Sequence, residues 1–322
     1  MEKRTFSYYL IILLVGIVAF GTACTGPQRK PQPEQKGSQE QAPQQKEPTI
    51  SLYVAETGKK VDIALEEYLE GVVAAEMDVN WPLEALAAQA IIARTFTLEK
   101  IEEGGVKARG TDASTNIEEF QAYDKERVTE RVKEAVKRTR GEVVKHNNKL
   151  IKAWFHADGG GQTAASAKEG LGYTKQPTPY IKSVNDPGIN ITTEENKNWQ
   201  VSFPLSAVKS AISQISGKDP GAINSVTVAE KGPSGRATKI KFGETIVSGP
   251  ALRLALGSDK LRSMLITDIG IDGDSLVIKG RGYGHGVGMS QWGARALAEQ
   301  GKSPEDIVRF FFKDIKIEKI YQ

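Results

Sequence analysis

Residues 65–100 read LEEYLEGVVAAEMDVNWPLEALAAQAIIARTFTLEK. Apolar residues recur at helical spacing at positions 65, 68, 69, 72 and 73, which predicts a helix from about Leu65 to Met77. Pro82 suits the first turn of a second helix, which we expect to run to about Lys100. The segment therefore predicts two consecutive helices.

Glu76 lies on the apolar side of the first predicted helix. The row 65, 69, 72 reaches Glu76 at its next step of four residues, between Ala75 and Met77. Burial disfavours the charged form of a carboxyl group and raises its pKa, as a general acid working near neutral pH requires. The alternative is a glutamate at a frayed helix end, partly exposed or paired with a base.

Arg94 falls on the inward row 83, 87, 90, 94 of the second helix, whose many alanines allow neighbouring backbone to approach closely. An inward arginine could pair with Glu76, form a plain buried ion pair, or hold an anionic substrate. The residue pattern is compatible with all three roles.

The rest of the chain mixes helices and strands without a regular βαβ alternation. We expect helices at 128–139, 205–215, 249–256, 289–300 and 304–313, and strands at 50–54, 61–64, 223–247, 265–271 and 276–278. Segments 142–144 and 150–156 read as a hairpin that turns at Asn147-Asn148. Residues 103–124 and 158–198 predict loops, and a loop as long as the second is typical of function. The pattern favours the α+β class.

Glycine occupies every second position from Gly280 to Gly288. Alternate glycines remove one face of a strand, so that a ligand or another backbone segment could lie against it. The alternative is a tight strand–strand contact in which His285 is an ordinary core residue. His285 could also complete a metal site with His156 and Asp158, although the chain has no H-E-x-x-H motif and no cysteine partner.

Composition excludes several classes of protein. The 322 residues include one cysteine and three histidines, which excludes a disulfide framework and a Cys-rich zinc or iron–sulfur site. Residues 49–322 carry 37 basic and 36 acidic residues, so nucleic acid is not an expected partner. We expect no cofactor and no bound metal.

The first 48 residues differ in composition from the remainder. A basic start precedes the uncharged run Phe6–Ala23, which is typical of a secretory signal or an N-terminal membrane anchor. Cys24 follows in a sequence that resembles a bacterial lipobox, so we expect lipidation there; an uncleaved helix and a cleaved product are the alternatives. Residues 25–48, rich in glutamine and proline, predict a disordered linker. Residues 49–322 are then one domain outside the cytoplasm.

Three blocks of sequence, in order, resemble the stage II sporulation protein D (SpoIID/LytB) family. They lie in Tyr68–Phe96, Thr139–Val184 and Gly282–Ala294. The resemblance implies a mixed helix-and-strand domain with an active-site cleft. It also implies a lytic transglycosylase that cuts peptidoglycan strands, preferably strands stripped of their stem peptides. Glu76 matches the catalytic acid of the family.

Further residues match positions that the resemblance assigns to glycan binding or positioning: Arg94, His156, Thr163, Tyr180, Lys182, His285 and Gln291. One carboxylate suffices for a lytic transglycosylase, because the 6-hydroxyl of muramic acid replaces the water that ordinary glycosidases activate with a second acid. The expected partners are glycan strands, a membrane through the N-terminus, and a cell-wall amidase. A non-catalytic enhancer of such an amidase is the main alternative. Sporulation, germination and vegetative wall remodelling are equally compatible with this architecture.

Overall fold

A computed structural model describes residues 46–322. The α-helices in this part are α1 (Leu65–Glu76), α2 (Leu83–Glu102), α3 (Glu130–Arg138), α4 (Ala167–Leu171), α5 (Glu194–Lys197), α6 (Leu205–Ser216), α7 (Gly249–Ala255), α8 (Gln291–Glu299) and α9 (Pro304–Phe311). The strands are β1 (Thr49–Val54), β2 (Lys59–Ala64), β3 (Ala113–Ser114), β4 (Glu142–His146), β5 (Lys149–Leu150), β6 (Phe155–His156), β7 (Trp199–Pro204), β8 (Val226–Lys231), β9 (Ala237–Phe242), β10 (Thr245–Ser248), β11 (Ile266–Asp272), β12 (Ser275–Gly280), β13 (Met289–Ser290) and β14 (Lys316–Lys319). This mixture confirms the predicted α+β class.

The strands form small separate sheets in the orders β2-β1-β3, β14-β4-β5, β13-β6, β11-β12-β7 and β10-β9-β8. Two of the pairings are parallel, β1 with β3 and β6 with β13. The β6–β13 pair aligns Phe155 with Met289 and His156 with Ser290. This short ladder joins two of the three sequence blocks directly.

Two hydrophobic clusters lie in the described part of the chain. The first surrounds α1 and α2 and includes α3, α8 and α9, whereas the second lies between α6, α7 and strands β7–β12. Helix α2 packs against α1, α3, α8 and α9. Its alanines at 85, 87, 88, 90 and 93 are fully buried, because small side chains let several helices approach one backbone.

Both helices of the segment 65–100 are confirmed, with α1 ending one residue earlier than predicted. Leu65, Leu69 and Val72 are fully buried, as the apolar row requires. The backbone becomes extended at Met77, although the Met77 N–H still donates to the Val73 oxygen at 3.1 Å. Helix α2 begins just after Pro82.

The predicted strand 150–156 is wrong from Ile151 to Trp154, where the chain is not a strand. The turn at Asn147-Asn148 is present, with φ of 49° and 62°, and β5 pairs with β4 only through Lys149 and Leu150. The Trp154 N–H then donates to the Lys152 oxygen at 2.9 Å, a tight bend that interrupts the strand. Phe155 and His156 pair with β13 instead.

Four strands were missed by the sequence patterns, of which the two-residue strands β3 and β13 fall in the predicted loop 103–124 and at the start of the predicted helix 289–300. Strand β7 pairs along its whole length with β12, from Trp199 opposite Gly280 to Pro204 opposite Ser275. Strand β14 pairs with β4. Strand β7 reads Trp-Gln-Val-Ser-Phe-Pro, an apolar–polar alternation that the sequence offered and that was overlooked. Strand β14 has a single apolar residue among charged ones and is formed by pairing with a partner distant in sequence.

Glu47 and Pro48, which the composition places in the linker, contact the folded part. A Glu47 carboxylate oxygen accepts from the Glu66 N–H at 2.8 Å, and the same carboxylate pairs with Arg140. A carboxylate at this position satisfies an unpaired donor in the first turn of α1. The predicted signal or anchor and Cys24 lie outside the described residues. Within residues 46–322, none of the helices has the length and hydropathy needed to cross a membrane.

The alternating glycines do not form the predicted strand with one bare face. Gly282, Gly284, Gly286 and Gly288 all have positive φ, between 75° and 113°. A Cβ at Gly284 would lie 2.6 Å from the His156 Cβ. The glycines are therefore required by backbone conformation and by contacts within the protein.

Replacing Gly288 by alanine will destabilise the fold by about 3 kcal/mol, from the left-handed backbone and from steric overlap. Its φ is +75°, and a Cβ would lie 2.0 Å from the Trp154 carbonyl oxygen. Gly273→Ala is the matched control, because Gly273 has φ of +53° and nothing within 4 Å of the added atom. The control should lose only about 1 kcal/mol. Equal losses in urea unfolding would contradict the close contact.

Candidate active site around Glu76

The Glu76 carboxyl lies at the C-terminal end of α1 and is half-buried. One oxygen accepts from the Ala122 N–H at 3.1 Å, and the other accepts from Gln291 Nε2 at 3.4 Å. The end of α1, the loop before α3 and the start of α8 thus meet at one carboxyl group. Burial raises the pKa of Glu76, although both donors act in the opposite direction.

An aromatic surface adjoins this carboxyl group. Trp81 follows α1 by five residues, and Trp292 follows Gln291; their ring centroids are 4.8 Å apart, and both side chains are partly exposed. The backbone N–H of Trp292 donates to the Ala157 oxygen at 3.0 Å, and this bond fixes the start of α8 beside β6. Both tryptophans lie within the sequence blocks that resemble the family, but neither was predicted as a site residue. The sequence signal for them was that one tryptophan follows Glu76 closely and the other follows Gln291 directly, in two separate blocks.

Arg94 is fully buried and pairs with Glu66, not with Glu76. Its Nε and Nη2 donate to the two Glu66 oxygens at 2.8 and 2.6 Å. Its remaining N–H groups donate to backbone oxygens of Ala90, Val136 and Glu142. Of the three roles open from the sequence, the geometry is that of a buried ion pair.

Glu66 is a buried carboxylate that the sequence analysis missed. Besides Arg94, it accepts from the Gly141 N–H at 3.2 Å and from the Tyr321 hydroxyl. The group ties α1 and α2 to the start of β4 and to the C-terminal end of the chain. It lies off the row 65, 69, 72, so the helical period gave no reason to bury it.

His156 and His285 lie next to each other, with ring centroids 5.6 Å apart. His156 is 5% exposed, and its Nδ1 donates to the Val287 oxygen at 3.2 Å. His285 Nδ1 accepts from the Val287 N–H at 3.0 Å. Burial, with Arg253 and Arg236 nearby, lowers the pKa of His285 to about 3. Burial is the main reason that the pKa of His156 is far below its usual range, and the neighbouring His285 and Arg236 lower it further. Both rings are therefore neutral.

Asp158 is fully buried and accepts from the Gly160 N–H at 2.6 Å. Its backbone exchanges two hydrogen bonds with Tyr283, which holds the glycine-rich segment against β6. Across residues 46–322, no three histidine, cysteine, aspartate or glutamate side chains are grouped so that they could hold a metal ion. His156, Asp158 and His285 therefore do not form the three-ligand set considered from the sequence.

Thr163, Tyr180 and Lys182 lie together but are not bonded to Glu76. The fully buried Thr163 hydroxyl accepts from the Val184 N–H at 2.9 Å and donates to the Lys182 oxygen at 3.3 Å. The Tyr180 hydroxyl accepts from the Lys152 N–H at 2.9 Å, and burial raises the pKa of Tyr180 to about 12. Lys182 Nζ is half-buried and donates to the Arg309 oxygen at 3.2 Å, with burial lowering its pKa.

The predicted site residues thus fall into four groups. Glu76 and Gln291 share a hydrogen bond, and the His156–His285 pair adjoins them through the β6–β13 ladder. Thr163, Tyr180 and Lys182 form a third group near the end of α9, and Arg94 is buried with Glu66.

Comparison with protein-family models gives two matches. The stage II sporulation protein model (SpoIID) matches residues 53–146, which contain Glu76 and the buried ion pair. A model of a domain of unknown function (DUF8618) matches residues 174–288, which contain most of the second hydrophobic cluster.

Similar proteins extend over most of the chain. The stage II sporulation protein D of Bacillus amyloliquefaciens is 32% identical over 299 residues, covering 88% of this chain and 82% of that protein. The protein of the same name in Bacillus subtilis is 28% identical, covering 84% of this chain and 78% of its own length. The amidase enhancer of Bacillus subtilis is 30% identical over 76% of this chain, but only 39% of its own length is covered. By this extent of similarity, the chain belongs to the stage II sporulation protein D family.

Proposed function

We propose that this protein is a peptidoglycan lytic transglycosylase in which Glu76 is the general acid and base. The observation that carries the proposal is the Glu76 carboxyl itself. It is half-buried, its pKa is raised, and its two hydrogen-bond donors, a backbone amide and a glutamine, are neutral. A raised pKa is what a carboxyl group needs in order to act first as a general acid and then, as the carboxylate, as a base.

The proposed reaction needs no second carboxylate and no water. Glu76 donates its proton to the glycosidic oxygen as the bond from that oxygen to C1 of muramic acid breaks. The Glu76 carboxylate then takes the proton of the muramic acid 6-hydroxyl, whose oxygen bonds to C1. The products are a free 4-hydroxyl on the leaving sugar and a 1,6-anhydro ring, and Glu76 is protonated again.

Gln291 is a positioning residue in this scheme, because it touches the Glu76 carboxyl through its amide. Arg94, His156, Thr163 and Tyr180 are buried, so we propose that they support the surrounding backbone rather than contact the glycan. Lys182 and His285 are partly accessible and remain proposed glycan contacts.

The protein would act outside the cytoplasm, held to a membrane through the predicted N-terminal anchor or a lipid at Cys24. Support comes from the apolar run that precedes Cys24 and from the similar proteins, which include stage II sporulation proteins D and an amidase enhancer. We therefore propose a role in cell-wall remodelling, including remodelling during sporulation.

Enhancement of a cell-wall amidase is the second candidate, and the similarity to the amidase enhancer of Bacillus subtilis favours it. The two functions separate when purified protein is incubated with peptide-stripped glycan strands and no amidase. A transglycosylase releases soluble fragments with 1,6-anhydro ends on its own. An enhancer releases none, yet accelerates an added amidase on intact peptidoglycan, and that pattern would replace the enzymatic proposal.

Gln291→Leu will shift the pH dependence of cleavage upward. The Gln291 amide favours the ionised form of Glu76, so its loss raises the pKa of Glu76 further. A general acid works while it is protonated, so the falling limb of kcat/KM against pH should move to higher pH. Gln300→Leu is the control, because Gln300 is exposed at the other end of α8. A falling limb that does not move, or that moves to lower pH, would contradict the role of Gln291.

A further inference from the structure

The backbone group that donates to Glu76 lies in a segment without regular secondary structure. The Ala122 N–H donates to the Glu76 carboxyl at 3.1 Å, and residues 120–124 belong to no helix or strand. Such a segment has no ladder of backbone hydrogen bonds to fix its position. The place of this donor therefore depends on what holds the residues on either side of it.

Gln121, directly before the donor, is attached to α2. Gln121 is 3% exposed, and its Nε2 donates to the Thr97 hydroxyl at 2.9 Å. The fully buried Thr97 hydroxyl in turn donates to the Ala93 oxygen at 2.8 Å, so its orientation is set by its own helix. This buried chain of hydrogen bonds connects α2 to the residue that precedes Ala122.

Tyr123, directly after the donor, packs on α1. Its ring stacks on the ring of the fully buried Tyr68, with centroids 5.6 Å apart and an angle of 8° between the planes. Gly71 leaves the room for this ring, because a Cβ at Gly71 would overlap it. The Asp124 N–H also donates to the Gly71 oxygen at 3.0 Å. The donor is thus held from α2 on one side and from α1 on the other.

We propose that Gln121 is a positioning residue of the Glu76 site, and that its bond to Thr97 holds the Ala122 N–H against the Glu76 carboxyl. The inference rests on the proposed function, in which Glu76 gives up a proton and takes one back. A donor held in place fixes the orientation of the carboxyl and is ready for its ionised form. No side-chain substitution removes a backbone amide, so Gln121 and Thr97 are the residues through which this donor is moved.

The electrostatics of Glu76 make the donor measurable. The Ala122 N–H favours the ionised form, so its displacement raises the pKa of Glu76, which burial already raises; no charged side chain of residues 46–322 contributes to this pKa. Burial likewise raises the pKa of the nearby Tyr68, which stays neutral. Arg127 donates to backbone oxygens on either side of Glu76 and keeps its charge at every pH used. A shift in the titration of Glu76 therefore reports on its donors.

The test is a double-mutant cycle of Gln121→Leu and Thr97→Val, with strand cleavage measured against pH. In each single variant we expect kcat to fall about tenfold with little change in KM, because the carboxyl loses a fixed orientation. The falling limb of kcat/KM should move to higher pH. Both substitutions break the same bond, so the double variant should show little more than either alone. Thr97→Ser keeps the hydroxyl and should keep the wild-type profile.

Thr95→Val is the matched control. Thr95 is also fully buried on α2 and donates to the Ile91 oxygen at 2.7 Å, but its hydroxyl accepts from the Val144 N–H of β4 instead of from Gln121. Its loss should lower stability in urea unfolding as much as Thr97→Val does, and it should leave the pH profile unchanged. An equal shift of the profile in Thr95→Val would overturn the inference.

NMR titration of the Glu76 carboxyl carbon, assigned by its absence in Glu76→Gln, separates this inference from the proposed reaction. A titration that moves to higher pH in Gln121→Leu and Thr97→Val supports the positioning role, even in a chain that makes no anhydro ends and so refutes the transglycosylase. An active chain whose titration stays in place in both folded variants overturns the positioning role alone. Should Gln121→Leu fold poorly, Thr97→Val against Thr97→Ser tests the same bond.

Discussion

Glu76→Gln will lower the rate of glycan cleavage by about 10³-fold, the usual contribution of a general acid and base. Glutamine keeps the shape of the side chain and can still accept from the Ala122 N–H, but it cannot give a proton to the leaving oxygen. The rate is measured as soluble fragments released from peptide-stripped strands. Glu70→Gln is the matched control, because Glu70 is a half-buried carboxyl on the same helix whose pKa is also raised by burial. It should retain wild-type activity.

Stability distinguishes loss of chemistry from loss of fold in this variant. The pKa of Glu76 is higher in the folded state than in the unfolded chain, so ionising it at neutral pH favours unfolding. Glu76→Gln removes that penalty. Its free energy of unfolding near neutral pH should equal or exceed the wild-type value, and the difference should fade below about pH 4, where the carboxyl is protonated in both states. An active Glu76→Gln protein would refute the assignment of the acid.

Arg94→Met will destabilise the fold by about 3–5 kcal/mol, because it leaves the Glu66 carboxylate buried without its guanidinium partner. Arg94 is fully buried and Glu66 is 6% exposed, so water cannot replace the lost contacts. The double variant Arg94→Met with Glu66→Met should recover much of this loss, since no charge is then buried alone. Urea unfolding of the wild-type protein, the two single variants and the double variant measures the coupling free energy.

Additive losses in that cycle would contradict the buried pair. The same variants decide between structural support and glycan contact for Arg94. At a temperature where Arg94→Met remains folded, the structural role predicts nearly wild-type affinity for peptide-stripped strands. A folded variant that has lost this affinity would restore the glycan-binding role implied by the family resemblance.

Local periodicity predicted the centre of the fold well, because residues 65–100 carry their pattern in short-range spacing. The apolar row placed Glu76 on the packed side of α1, and the structure finds it half-buried there. The α+β class followed from the irregular order of elements. Strand β7 carried a local apolar–polar alternation that was overlooked, whereas β14 was missed because its four residues have little pattern and its formation depends on pairing with the distant β4.

The surroundings of each predicted site residue could not be derived from spacing alone. Helical spacing predicts the helix face on which Arg94 lies, but it does not predict which carboxylate pairs with Arg94. Glu66 lies off the apolar row 65, 69, 72 that identified Glu76. The contact of Trp81 with Trp292 depends on α8 docking beside the end of α1, and these two residues are more than two hundred positions apart in the sequence. The alternate glycines suggested a strand, whereas their positive φ values produce an irregular segment packed on His156 and Arg236.

The most direct test of the central claim is mass spectrometry of strand fragments produced in water enriched in oxygen-18. If Glu76 catalyses attack by the 6-hydroxyl of muramic acid, every new muramic end is a 1,6-anhydro ring without heavy oxygen, and Glu76→Gln protein makes none. New reducing ends carrying one heavy oxygen would show that water is the nucleophile, and would contradict the transglycosylase account.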